Sequence, residues 1–495
     1  MSRRSSTSPA KLVIGDGIDI AQSHSAVVIF MGDRAYKVKK PVDFGFLNFS
    51  GVADREHACR RELELNRRLA PDVYLDVAQV LDGRGETCDW LLVMQRMPAQ
   101  RRLAHLVRQG VDVQTDLRSL ARLLASFHST ARRGPEIDEA AGIAALRKRW
   151  FDNFAGVEPF AGLVIDPGYL HEIVDLVQRY VDGRRPLLED RVRRGCAVDG
   201  HGDLQAEDIF CMPDGPRVLD CLEFDDNLRY LDVLDDAAFL AMDLERLGAP
   251  AAAEEFLNHY HEFSATPTVD TLAHHYVAYR AFVRAKVACL RHAQGVASAA
   301  EEAARLIRIA LGHLRRAQPR LVLVGGLPGT GKSTVAGAVA DRLGAVVLRT
   351  DQIRRELPGT AELRADVGYG KGLYRSDRVH DTYRVMLDRA ADLLGRGEHV
   401  VLDGSWNNAA ERESARAVAV ETCSTLVELH CSAPTEITDA RLTDRTGDVS
   451  DATPDIAARM RSHFANWPEA VVVDTSGHPN AAAEQAWSAT TPESA

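Results

Sequence analysis

The stretch Leu321–Ser333, LVLVGGLPGTGKS, constrains this chain more than any other. Leu321 to Val324 are apolar, as a buried strand should be. After Gly325, the eight residues Gly326-Leu-Pro328-Gly329-Thr330-Gly331-Lys332-Ser333 fit G-x-x-x-x-G-K-[ST] in full. From Thr334 to Leu343 the apolar spacing is helical. Strand, glycine loop and helix in that order turn backbone N–H groups into one small cavity that suits phosphate oxygens. The helix N-terminus adds partial positive charge there. Lys332 supplies a mobile cation for β- and γ-phosphates, and the Ser333 hydroxyl is a Mg²⁺ ligand candidate.

Composition bounds the rest. A chain of 495 residues predicts more than one domain, and 45% apolar with 26% charged residues suits a soluble protein with real cores. The net charge of −11 argues against a general nucleic-acid or acidic-membrane surface. No apolar run reaches about 18 residues, so no spanning helix is expected. The N-terminal MSRRSSTSPAK has no apolar core, which predicts a disordered arm over 1–20 rather than a secretory signal. The 8 cysteines form no C-x-x-C pair, as expected of reduced thiols in a cytoplasm.

Residues 26–49 read as two strands and a turn, with Lys37 and Lys39 alternating onto one face of the second. A helix over about 54–69 carries Glu62, and Trp90–Met94 is strand-like before a connector, Gln95 to Pro98. Helical spacing predicts helices over 113–132, 140–154 and 166–194. The pattern then breaks at His201-Gly-Asp203-Leu-Gln205-Ala-Glu-Asp208, and a strand-like run, Arg217–Phe224, follows with Asp220 inside it. Such an acidic cluster suits one carboxylate as base and two as hard oxygen ligands for Mg²⁺. Helical spacing resumes over 232–317.

These residues resemble the aminoglycoside phosphotransferase family, with its protein-kinase-like two-lobed fold. His201-Gly-Asp203…Asp208 followed by Asp220 is similar to its catalytic loop and metal strand. AYKVKKPVDFGF and RRELELNRRLAPDVYL are similar to its small lobe. The resemblance implies Lys37, with Lys39 second, as the lysine on the α/β-phosphates, and Glu62 as its ion-pair partner. It implies the backbone from Gln95 to Met97 as an adenine hinge, Asp203 as catalytic base, and Asp208 and Asp220 as metal ligands. Two positions depart from the family pattern: Asp208 stands where asparagine is usual, and Gln205 where histidine is common. They motivate a second reading, an N-terminal pseudokinase or ligand sensor that regulates the P-loop domain.

Past Gln318-Pro319 five strand-like runs, 321–326, 345–350, 399–403, 425–431 and 470–474, alternate with helices. That alternation predicts a doubly wound parallel sheet with ligands beyond the strands' carboxyl ends. Asp403 ends one strand and is the candidate Mg²⁺–water ligand. Asp351-Gln-Ile-Arg354 resembles the acceptor site of polynucleotide kinases and zeta-toxin-like kinases, implying Asp351 on the acceptor hydroxyl and Arg354 on an acidic part of the acceptor. Asp351 also suits a helix N-cap. Arg441 and Arg445 share a helix face ahead of a polar loop, and in related kinases such arginines sit over the transferring phosphate. Gly368–Tyr374 suits a mobile acceptor-side loop.

The order of the two domains resembles a bacterial, actinobacterial-type family described as bifunctional aminoglycoside phosphotransferase/ATP-binding protein, over roughly 20–475. The expected architecture is α/β and α+β: a kinase-like region at 21–317 (small lobe 21–98, helical lobe 99–317), a P-loop kinase domain at 318–480 and a tail at 481–495. ATP, cradled in the C-terminal domain by Gly326, Pro328, Gly329, Thr330, Gly331, Lys332, Ser333 and Thr334, and Mg²⁺ are the expected cofactors. The expected partner is a small hydroxyl acceptor: an aminoglycoside, a sugar or amino sugar, or a nucleotide-like alcohol. A 5′-hydroxyl polynucleotide kinase is the remaining alternative.

Overall fold

Side-chain alternation builds the first sheet. In the computed structural model, which describes residues 12–13, 18–23, 25–43, 48–264, 266, 269–357, 375–443 and 454–491, the first six strands share it. They are β1 (Leu12–Val13), β2 (Ile18–Gln22), β3 (Ala26–Met31), β4 (Arg34–Lys39), β5 (Tyr74–Leu81) and β6 (Thr87–Gln95). The order is β1-β2-β3-β4-β6-β5, with every pairing antiparallel. β1 and the start of β2 lie inside the stretch expected to be a disordered arm. On β4 the period of two puts Ala35, Lys37 and Lys39 on one face. Helix α1 (Val52–Asn66) buries Ala58, Cys59, Glu62 and Leu65.

Helices follow: α2 (Leu103–Arg108), α3 (Gln114–Thr130), α4 (Pro135–Ala141), α5 (Ile143–Val157), α6 (Pro167–Gly183) and α7 (Arg185–Arg193). The single helix expected over 166–194 is two. Pro186 has no amide hydrogen and sits in the first turn of α7, where none is needed. Short strands β7 (Ala197–Asp199), β8 (Ile209–Met212), β9 (Gly215–Val218) and β10 (Tyr230–Asp232) frame the acidic loop. β9 stops at Val218, so Asp220 lies beyond the strand, in left-handed backbone at φ 63°. Helices α8 (Val233–Arg246), α9 (Pro250–Phe263), α10 (Asp270–Ala293) and α11 (Ser298–Ala317) complete this part. From Val233 to Leu244 every residue of α8 is buried, including Asp235, Asp236 and Asp243.

The last third is a five-stranded parallel sheet, as the alternation predicts. It comprises β11 (Arg320–Gly325), β12 (Val346–Arg349), β13 (Val400–Asp403), β14 (Thr425–Ser432) and β15 (Val471–Asp474), ordered β12-β13-β11-β14-β15. Around it lie α12 (Lys332–Leu343), α13 (Thr350–Glu356), α14 (Ser376–Gly395), α15 (Ala409–Glu421), α16 (Thr435–Thr443), α17 (Pro454–Ser462) and α18 (Pro479–Thr490). α18 occupies most of the expected tail. Its small Ala482 and Ala486 bury against Val335, Val339 and Val473, a contact that carries little hydrophobic signal in sequence. Asp351 is the second residue of α13 and Arg349 is its N-cap, so Asp351 does not cap the helix.

The chain divides into two compact units. One comprises residues to Val174, Leu188–Thr268 and Leu272–Arg315. The other comprises Asp175–Leu187, Val269–Thr271 and residues from Arg316 on.

Candidate active sites

In the first unit, three separate parts of the chain bring charged groups together. Lys37 Nζ on β4 lies 2.7 Å from Glu62 Oε1 on α1 and 2.7 Å from Asp220 Oδ1. Lys39, two residues on, lies 2.6 Å from Glu62 Oε2 and 2.5 Å from Glu223 Oε1. Glu62 thus bridges both lysines while buried. Burial alone would lower the Lys37 pKa, but Asp220 and Glu62 hold it well above its usual value. Burial likewise opposes ionisation of Glu62, and the two lysines still hold its carboxyl below its ordinary range. Lys37 holds Asp220 ionised in the same way.

The acidic loop is suspended from α8, which sequence reasoning did not single out. Asp236 accepts the His201 backbone N–H at 2.7 Å and that of Gly202 at 2.9 Å, with His128 Nε2 at 3.0 Å. Asp243 accepts the Ala206 N–H at 2.9 Å. Burial would raise the Asp236 pKa, but the His128 hydrogen bond and the loop amides keep it far below the carboxylate range. The one available signal was three acids in the otherwise apolar run Val233–Leu244. Such buried charges persist only with partners. His201, buried, is pushed down to about 4 and is a neutral imidazole, its Nε2 at 3.1 Å from the Leu219 carbonyl.

Asp203 is pushed up to about 6, chiefly by burial, and accepts a hydrogen bond from Gln205 Nε2 at 2.9 Å. Burial, then the Asp220 and Asp203 charges, raise Asp208 well above its usual value. Carboxylates that raise one another's proton affinity make a site short of positive charge, which suits a hard divalent cation. Among the described residues no group of three or more His, Cys, Asp or Glu side chains could hold a metal ion. Mg²⁺ commonly takes one or two carboxylates and completes its shell with phosphate and water oxygens, so the Asp208–Asp220 pair still fits it.

A cleft of about 750 Å³ adjoins this cluster, with Lys37, Asp208 and Asp220 in its lining together with Gln95 and Met97. Val28, Phe30, Ala35, Met94 and Leu219 give it apolar walls suited to a flat ring. The connector is braced by the Gln95 N–H on the Val73 carbonyl at 2.8 Å and the Arg96 N–H on Asp33 at 2.8 Å.

In the second unit the loop after β11 has φ of 144° at Gly326, 82° at Gly329 and 76° at Gly331. A Cβ on Gly329 would stand 2.6 Å from the Thr438 carbonyl oxygen, so both space and conformation require glycine there. Pro328, Gly329 and Thr330 are buried, and Thr330 Oγ1 donates to Leu327 O at 2.7 Å. Lys332 and Ser333 open α12, with Thr334 in its first turn. Asp403, at the end of β13 and buried, has its pKa raised by burial, against Lys332 and a Ser333 hydrogen bond. A hydroxyl and a carboxylate meeting at a phosphate loop form a donor set that also fits Mg²⁺.

Parallel pairing sets Arg349 opposite Asp403, with its Nε 3.8 Å from Asp403 Oδ2. Asp351 Oδ1 and Arg354 Nη1 lie 2.8 Å apart. Arg441 donates to Thr475 O at 2.7 Å and to Gly329 O at 3.4 Å, so its guanidinium touches the phosphate loop. Beside it is a cavity of about 420 Å³ lined by Gly329, Gly331, Thr334, Thr475, Gly477 and Pro479. Tyr383 was also missed: its hydroxyl lies 3.2 Å from Ser405 Oγ and accepts the Trp406 N–H at 3.0 Å, bracing the turn after Asp403. Arg445 and Gly368–Tyr374 lie outside the described residues. Among the described residues no helix is long and apolar enough to cross a membrane.

A family model described as an AAA domain matches residues 321–466. An uncharacterized Mycobacterium tuberculosis H37Rv protein, Rv2004c, is 43% identical over 461 residues, 93% of each chain. Among solved structures, the GDP and kanamycin complex of APH(2")-IIia is 12% identical, covering 61% of this chain and 95% of that one at a TM-score of 0.38. An unliganded sugar kinase from Janibacter sp. HTCC2649 is 19% identical, covering 35% of this chain and 94% of that one at a TM-score of 0.29.

Proposed function

We infer that this chain, which belongs to the family of the Mycobacterium tuberculosis protein Rv2004c, is an ATP- and Mg²⁺-dependent phosphotransferase with two kinase-type sites. Each site transfers a γ-phosphate to the hydroxyl of a small molecule. The observation that carries the reading is the ion-pair cluster of Lys37 with Glu62 and Asp220, with Lys37, Asp208 and Asp220 lining an apolar-walled cleft, in the same molecule as a complete phosphate loop.

At the first site the apolar walls and the backbone at Gln95 and Met97 take the adenine. Lys37, fixed by Glu62, holds the α/β-phosphates. Asp208 and Asp220 would hold Mg²⁺, which when bound offsets the charge of the phosphates. Asp203 accepts the acceptor's proton at a carboxylate oxygen as the oxygen–phosphorus bond forms. At the second site the amides from Gly326 to Thr334 and Lys332 hold the β/γ-phosphates, Ser333 and Asp403 would hold Mg²⁺, and Arg441 stabilises charge on the transferring group. Asp351 orients the acceptor hydroxyl, with Arg354 on an acidic part of the acceptor and Arg445 a second cation for the transferring phosphate. Eight free cysteines fit a reducing, cytoplasmic setting.

One contact favours the second reading, a first site that binds nucleotide and regulates without transfer. The Gln205 amide occupies an oxygen of Asp203, and a carboxylate tied to a donor is a weaker base. A metabolite extract with γ-labelled ATP separates the two readings. Label transfer by both Lys332→Ala and Asp203→Ala full-length chains is expected of two active sites. Transfer lost with Lys332→Ala alone would favour the regulatory reading. Absence of Mg²⁺-dependent ATP binding in the unaltered chain would remove both.

A further inference from the structure

The charge balance of the first unit's cleft singles out one more residue, an inference that rests on the kinase reading of that site. Among the described residues three cations line the cleft of about 750 Å³: Lys37, Arg96 and Arg102. Two of these are already paired. Lys37 is divided between Glu62 and Asp220, each at 2.7 Å, and Arg96 lies 2.7 Å from Asp19 with its guanidinium over the Phe30 ring. Arg102 is held more loosely. Its Nη1 lies 3.3 Å from Glu207, whose other oxygen is taken by Arg108 at 2.6 Å. Its Nε is buried with no hydrogen-bond partner among the described residues. A guanidinium carries five N–H donors, so most of this one's capacity is unused.

Backbone geometry fixes Arg102 at the acidic loop. It is the N-cap of α2 and forms an isolated antiparallel bridge with Phe210, the second residue of β8. Its guanidinium lies 5.2 Å from the centre of the Phe210 ring and reaches Glu207, so it touches residues before and after Asp208. Asp208 and Phe210 line the same cleft. Burial and the Asp220 and Asp203 charges raise the Asp208 carboxyl, and Arg102 works against them. A nucleotide would bring more negative charge to a lining that already holds Asp19, Asp33, Asp208 and Asp220. Lys37 is shared between two carboxylates, whereas a planar guanidinium with unused N–H groups matches phosphate oxygens in pairs.

We propose that Arg102 binds the phosphate chain of the nucleotide at the first site, as a second cation in addition to Lys37.

The test measures binding to the full-length Lys332→Ala chain by calorimetry, with adenosine, AMP and Mg²⁺–ADP as probes. Arg102→Gln removes the charge and keeps a side chain that can pack on Phe210 and donate to Glu207. It is expected to raise the Kd for Mg²⁺–ADP about ten- to a hundredfold, the scale of one hydrogen bond to a charged group. The Kd for adenosine should stay unchanged, which also reports that the cleft is intact. Arg102→Lys should recover part of the loss. AMP places the contact: a loss equal to that of Mg²⁺–ADP assigns it to the α-phosphate, and a smaller or absent loss assigns it to the β-phosphate. Adenosine weakened as much as Mg²⁺–ADP would mean that Arg102 only shapes the cleft through Phe210, and would overturn the proposal. Mg²⁺–ADP binding untouched by Arg102→Gln would overturn it too, with the kinase reading left standing. If the Lys332→Ala chain binds none of the probes, the kinase reading of the first site falls and this inference with it.

Discussion

The two sites are assembled in opposite ways. The phosphate loop of the second unit lies within Gly326–Thr334, and strand–loop–helix connectivity alone brings its donors together. The first site draws Lys37, Glu62, Asp203, Asp208 and Asp220 from a sheet, a helix and a loop spread over more than 180 residues. Its loop depends further on Asp236 and Asp243, which hold its backbone amides from α8. A contiguous site survives much change elsewhere, whereas a dispersed one inherits the stability of everything that positions it.

The largest expected effect separates the sites directly. Lys332→Ala should lower turnover at the second site by about a thousandfold or more while leaving Mg²⁺–ATP binding at the first intact. Titration with a fluorescent ATP analogue would then fall from two sites to one. Loss of both would mean that the two are not independent. Next comes Asp236→Asn, which puts an NH₂ against backbone donors that now share a buried carboxylate. A cost of about 2–4 kcal/mol is expected in the first unit's unfolding, read by denaturant titration, with the second site's affinity preserved. A smaller effect belongs to Gly329→Ala. Positive φ and the Thr438 carbonyl should weaken nucleotide binding at the second site about tenfold, read by calorimetry.

The smallest effect is on pH. Burial pushes the Asp203 carboxyl up to about 6, so if Asp203 is the base proposed above, protonation should disable it below that value. In the Lys332→Ala chain kcat/KM should fall about tenfold per pH unit below about 6 and level off above it. A flat profile would remove Asp203 from the proton transfer.

Much of the architecture was legible because period and punctuation carry it. The parallel sheet was announced by five apolar runs, and the β4 lysines by alternation. Other features left weak traces. α18 was missed because alanines pack through smallness rather than hydrophobic signal. The strand expected at Arg217–Phe224 ends at Val218, and Asp220 turns away in left-handed backbone because the Tyr74 hydroxyl and Lys37 draw it toward the cluster. The Asp351 cap failed because the helix starts two residues earlier, with Arg349 as its N-cap.

What the chain determined on its own is local. The loop Gly326–Ser333 needs only its glycines, its lysine and the strand and helix on either side, because its donors are successive backbone amides. Which carboxylates stay charged, which lysine is bridged by Glu62 and which aspartates hold the His201–Asp208 loop were decided by tertiary structure. Charge state depends on burial and on neighbours within a few ångströms, and those neighbours come from parts of the chain that sequence order does not relate.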